Sequence, residues 1–100
     1  MAIDLFCYAT KQPAEVQETI DALAGLHKGL FAKRFVIYKV ADANPVHKEI
    51  ALEYGLHARS EFMISLNDKS AADLVPTVLA LIKCALGDSN VVIMSDGSPR

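Results

Sequence analysis

One hundred residues is the length of a single domain, and a hydrophobic fraction of 52% supplies a core without help from disulfides or metal. Charged residues at 22% and a net charge of −2 exclude a disordered chain. A sequence pI near 5.8 excludes the broadly basic surface that attracts nucleic acid by charge alone.

Ile3, Leu5 and Cys7 alternate with Asp4, Phe6 and Tyr8, which predicts a strand that is apolar on both faces after Asp4 and therefore central in its sheet. Pro13 marks a helix start with Gln12 at the cap and Glu15 near the positive end of the helix dipole. Val16, Ile20, Leu23 and His27 then recur on one face, and Gly25 or Gly29 supplies the stop. Residues 35–40, rich in Val, Ile and Tyr, predict a second strand. Asn44-Pro45 opens a second helix that Gly55 ends, with Val46, Ile50 and Tyr54 on one face.

Residues 62–66 predict a third strand. Asp73 or Ser70 is the expected cap of a third helix, with Pro76 in the first turn, where its missing N–H costs nothing. The wide apolar arc of Leu74, Val78, Leu81 and Ala85, with Val75, Leu79, Ile82 and Leu86 beside it, predicts deep packing up to Gly87. Residues 91–94 form the last predicted strand, and 95–100 read as turn. The expected fold is a single α/β domain spanning residues 1–100 in β-α-β-α-β-α-β order. Its predicted sheet has four mostly parallel strands in the order 2-1-3-4, with helices packed on its faces.

The opening residues lack a basic segment and carry Asp4, unlike a signal peptide. Residues 74–86 are broken by Pro76, Thr77 and Lys83 and fall short of the roughly 20 residues of a membrane span. A cytoplasmic protein without membrane contact is expected.

Four groups of residues invite a chemical reading. Cys7 ends the first strand just before a helix, where a thiol can be activated as in thioredoxin-like redox proteins. Position 10 is Thr rather than a second Cys, however, and no proline precedes the third strand; the alternative is a small buried hydrophobe, for Cys84 as well. Asp42, Asp68 and Asp96 would follow the C-terminal ends of parallel strands, the ligand edge of α/β folds, where three acids could hold Mg²⁺ or accept a phosphoryl group. Turn and cap preferences explain each Asp singly, so no metal or cofactor is expected. His27, mid-face on the first helix, reads as a satisfied or helix-terminal histidine rather than a ligand; His47 and His57 have no second ligand at metal spacing, and neither a P-loop nor a Gly-x-Gly-x-x-Gly is present. Glu15, Glu18 and Asp21 make an acidic stripe on the first helix, either a solvated face or a docking surface for a basic partner.

The residues Met1-Ala-Ile-Asp-Leu-Phe-Cys-Tyr8, Lys48-Glu-Ile-Ala51 with Gly55-Leu56, and Ile64-Ser-Leu-Asn-Asp-Lys-Ser70 followed by Ala72-Asp-Leu-Val-Pro76 carry a resemblance. In order and in register over residues 1–86, they are similar to immunity proteins of bacterial contact-dependent growth inhibition systems. The resemblance implies a non-enzymatic protein that binds the C-terminal nuclease domain of a cognate toxin one to one in the cytoplasm. That toxin would be a tRNA-cleaving enzyme whose active site is blocked, with no direct contact between the immunity protein and nucleic acid. The sequence departs from the family pattern over residues 11–33 and after 86, so no family interface residue transfers to it. On exposure and charge alone, the residues expected to meet a basic nuclease are Glu15, Glu18, Asp21, Asp42, Asp68 and Asp96.

Overall fold

Strand β1 (Asp4–Ala9) buries Leu5, Cys7 and Ala9 on one face and directs Phe6 and Tyr8 to the other, the two-residue period of an extended chain. The computed structural model describes residues 3–31, 34–95 and 98–99. After β1 come α1 (Pro13–Leu26), a single turn α2 (Lys28–Phe31), β2 (Phe35–Ile37), β3 (Ala41–Asp42) and α3 (Pro45–Glu53). Strand β4 (Ser60–Leu66), a 3₁₀ segment (Lys69–Leu74), α4 (Val75–Leu86), β5 (Val91–Ser95) and β6 (Ser98–Pro99) complete the chain.

The sheet order is β2-β4-β1-β5-β6, with β3 also on β4, and every pairing is antiparallel. This overturns the expected mostly parallel four-stranded sheet and the order 2-1-3-4. The alternation of strands and helices is real: β1 and β2 run the same way, as do β4 and β5. Each of those crossovers, however, leaves a gap of one strand. β4 fills the gap between β1 and β2, and β1 fills the gap between β4 and β5. Two split β-α-β units thus interlock, so no two parallel strands touch.

Helices α1 and α4 cover the face carrying Leu5, Cys7, Phe62, Ile64 and Ile93. Val16, Ile20 and Leu23 from α1 and Val78, Ile82 and Leu86 from α4 complete this core. The opposite face receives only α3, which packs Ala51 and Ile50 near Tyr8, Met94, Leu56 and Ala58. As expected, Pro13 and Pro45 open their helices, and the Asn44 side chain caps α3 by accepting from the Val46 and His47 N–H groups. Neither Asp73 nor Ser70 caps α4, whose N-cap is Leu74 without a side-chain hydrogen bond; Asp68 instead caps the 3₁₀ segment ahead of it. There Asp68 Oδ1 accepts from the Ser70 N–H at 3.0 Å and hydroxyl at 2.8 Å.

The predicted second strand, 35–40, stops at Ile37, and a separate two-residue strand follows it at 41–42. Ile37 stands opposite Ile64 and Ala41 opposite Glu61, so three residues of this edge, 38–40, face only two of β4. This is a β-bulge. It turns the Val40 N–H toward α1, where Gln17 Oε1 accepts it at 2.8 Å, and the Val40 side chain enters the main core. At the end of α4, Gly87 adopts φ +94°, and a Cβ there would meet Asn90 Nδ2 at 2.7 Å.

Two substitutions test these joints by chemical denaturation. Gln17→Ala removes the acceptor of a half-buried N–H and should cost about 1–2 kcal/mol. Gly87→Ala forces an L-residue into a glycine conformation and should cost ~1–3 kcal/mol.

Candidate functional site

The antiparallel sheet redistributes the residues singled out by charge. Asp42 pairs opposite Ser60, at the end of the sheet where β1 finishes and β4 begins. Asp68 follows the far end of β4, beside the start of β1. The carboxylate rim expected of a parallel sheet therefore does not assemble from these two, and Asp96 lies outside the described residues. Among the described residues, no three His, Cys, Asp or Glu side chains gather to hold a metal ion. The Ser70 hydroxyl and N–H, with Arg34 nearby, hold the Asp68 carboxyl below the usual range, as suits a cap.

Glu15, Glu18 and Asp21 share the solvent side of α1. Glu15 lies 3.9 Å from Lys11, and Asp21 accepts a hydrogen bond from the Gln17 side chain at 2.9 Å. Glu15 and Glu18 border a shallow groove of about 520 Å³ between α1 and α4, floored by Ala22, Leu23 and Ala85. This acidic surface lies on the helical side of the sheet.

Cys7 is fully buried in the main core, and burial pushes its thiol far above the ordinary range. A nucleophilic thiol needs exposure and a lowered pKa; the redox reading of Cys7 has neither. Cys84 is exposed on α4. His27 is the residue on which α1 ends: its N–H donates to the Leu23 carbonyl, and its own carbonyl accepts from Leu30 and Phe31. His57 is an exposed loop residue beside Lys48 and Arg59.

His47 is part of a polar network that sequence reading missed. The Asn44 N–H donates to Glu61 Oε1 at 2.8 Å, while His47 Nδ1 contacts Glu61 Oε2. The His47 ring lies 5.5 Å from that of Tyr8. One carboxylate in the middle sheet thus fastens the start of α3 over β1 and β4. Tyr8 lies beneath this clasp, 4% exposed. Burial first, then the charge of Glu61, raises its phenol above the ordinary range, so the hydroxyl remains protonated at neutral pH.

Helix α3 is too short to cover its face of the sheet. Phe6 pairs with Met63 on one side and Met94 on the other, and the Tyr38 N–H donates to the Met63 carbonyl at the end of the same row. Phe6 and Val36 remain exposed on the strands and Tyr38 in the bulge, and Val46, Leu52 and Tyr54 on or at the end of α3. Of the large hydrophobic residues exposed among those described, only Leu26 lies on the other side. Solvated faces of antiparallel sheets are ordinarily polar, so an apolar row here marks a surface for contact. Between β1, β5 and α3 the surface dips into a groove of about 250 Å³ lined by Phe6, Tyr8, Ile50, Glu53, Tyr54 and Met94. The alternation of Phe6 and Tyr8 with the core residues of β1 was the available signal, but it reads equally as a strand buried on both faces.

The whole chain is similar to known proteins. The family model described as CDI System Immunity Component matches residues 1–98. Immunity protein CdiI-2 of Burkholderia pseudomallei strain 1026b is 39% identical over 100 residues, covering 100% of this chain and 99% of its own. A chain in the solved CdiA-CT/CdiI toxin and immunity complex from Burkholderia pseudomallei superimposes with a TM-score of 0.91 at 38% identity. That match covers 96% of this chain and 93% of the other.

The burial difference between the thiols sets an expectation for alkylation. Native protein should titrate promptly at Cys84 alone, and Cys7 should react only in denaturant. Mass-spectrometric mapping of the modified residue checks this, and prompt labelling of Cys7 in the native state would restore the redox reading.

Proposed function

Because the chain belongs to the immunity-component family of contact-dependent growth inhibition systems, we propose that it neutralises the C-terminal domain of a cognate toxin by one-to-one binding. The observation that carries this reading is the match, over nearly the whole chain, to a chain of a solved toxin and immunity complex. The toxin domain in this reading is a tRNA-cleaving nuclease, and the immunity protein blocks its active site. The encounter takes place in the cytoplasm. Among the described residues no helix is long and apolar enough to cross a membrane.

Protein binding rather than catalysis fits what the side chains offer. The buried Cys7 is withdrawn from chemistry, and the His47–Glu61 contact is used to fasten α3. A nuclease must attract phosphates, so its working surface is basic. An immunity protein with net charge −2 approaches such a surface without competing for RNA. The acids proposed for that contact on charge alone do not form one surface. Glu15, Glu18 and Asp21 lie on α1, while Asp42 and Asp68 lie at opposite ends of the sheet, so charge by itself does not select a face.

The test is a titration against the toxin domain encoded immediately upstream, with RNA cleavage followed in parallel. Nanomolar affinity and loss of cleavage at one equivalent are expected. Absence of binding, or binding that leaves cleavage intact, would overturn the reading.

A further inference from the structure

We infer that the groove between β1, β5 and α3 is the anchor site for the toxin, and that it receives an arginine side chain from the toxin's basic surface. The inference rests on the immunity reading above and chooses the face that the reading leaves open.

Three observations converge on this groove. First, the exposed large hydrophobic residues are concentrated on its side of the sheet, with Phe6 39% and Tyr54 43% exposed at its walls. Aromatic and Met side chains of this kind are enriched at interface centres. Second, Tyr8 is almost wholly buried yet lines the groove, and its hydroxyl has no hydrogen-bond partner among the described residues. Third, Glu53 lines the groove and no lining residue is cationic.

An apolar, ring-walled slot with one carboxylate and one free phenol oxygen has the chemistry for a guanidinium. Its flat faces stack on aromatic rings, and its N–H groups donate to carboxylate and hydroxyl oxygens. Lysine, a compact and strongly hydrated charge, uses such rings less well. A second copy of this chain is a poor occupant. A two-fold contact centred on this groove would bring the two Glu53 carboxylates together with the same apolar walls. The acidic stripe of α1 is on the other side of the sheet and cannot join the same contact, because Val16, Ile20 and Leu23 pack on the Leu5 and Cys7 face.

The experiment measures affinity of the full chain for the upstream-encoded toxin domain by calorimetry, with RNA cleavage in parallel and self-association checked by sedimentation. Tyr54→Ala should weaken binding about 10- to 100-fold, as truncation of an interface anchor does. The double variant Tyr8→Phe with Glu53→Gln keeps the groove's shape while removing the free phenol oxygen and the charge, and should weaken binding at least about tenfold. The α1 triple variant Glu15→Lys, Glu18→Lys, Asp21→Lys should change affinity by less than about threefold, as expected outside the contact. The inference is overturned if both groove variants bind within about twofold of wild type, or if the α1 variant loses more affinity than they do. It also falls if wild-type chains associate through this face and Tyr54→Ala dissociates them without affecting the toxin. A wild-type chain that fails to bind the toxin at all removes the immunity reading itself, which distinguishes that failure from a misplaced anchor.

Discussion

Strand β1 is hydrogen-bonded along both edges, to β4 from Asp4 to Ala9 and to β5 from Phe6 to Ala9, and both neighbours run against it. With both edges occupied, its six residues can only point up or down, and the rest of the fold is arranged around that choice. Leu5, Cys7 and Ala9 point to the side where α1 and α4 close the larger core. Phe6 and Tyr8 point to the side where only α3 arrives. Ties at the end of β1 hold this placement: the Arg59 N–H reaches the Ala9 carbonyl at 2.8 Å, and the Ser60 hydroxyl the Lys11 carbonyl at 2.8 Å.

The unequal cover of the two faces connects the fold to recognition. On the helical side, wide apolar arcs on α1 and α4 exclude water from a thiol that would otherwise be the chain's most obvious reactive group. On the other side, a helix of nine residues is held at its start by Glu61 and ends before the sheet is covered. The groove left beside it is lined by the buried Tyr8, with Phe6 and Tyr54 partly exposed at its walls. Glu53, Glu61, His47 and Asp4 are interspersed on this side, and their polar groups interrupt the apolar surface.

Much of the local structure was legible from the sequence. Proline and Asn signals placed the starts of α1 and α3, Gly87 the end of α4, and short apolar runs found β1, β4 and β5. Strand direction was not legible, because a helix between two strands specifies that they run the same way, not that they lie side by side; β4 and β1 fill the gaps. The break in the second strand was equally hidden. Residues 35–40 are uniformly apolar or aromatic except for Lys39, and the acceptor that takes the Val40 N–H at the bulge, Gln17, lies more than twenty residues away along the chain. The family was recognised from core and turn segments, which the full-length match supports. Contact residues chosen on charge alone had no such guide, since an exposed carboxylate on a helix looks the same whether or not anything meets it.

The bulge at residues 38–40 has a consequence for selectivity. A regular edge strand presents a row of unpaired N–H and C=O groups that accepts almost any other strand, regardless of its side chains. Here that row is interrupted: the Val40 N–H is turned inward to Gln17, and the opposite edge of the sheet ends in a two-residue strand containing Pro99, which has no N–H to give. Indiscriminate strand addition is discouraged at both margins. What the chain shows to its surroundings is therefore a pattern of side chains rather than a bare backbone. Such a pattern can be rewritten one position at a time, as Phe6 or Tyr54 changes while Leu5, Cys7 and Ile64 stay fixed, so a new partner can be learned without the sheet being refolded.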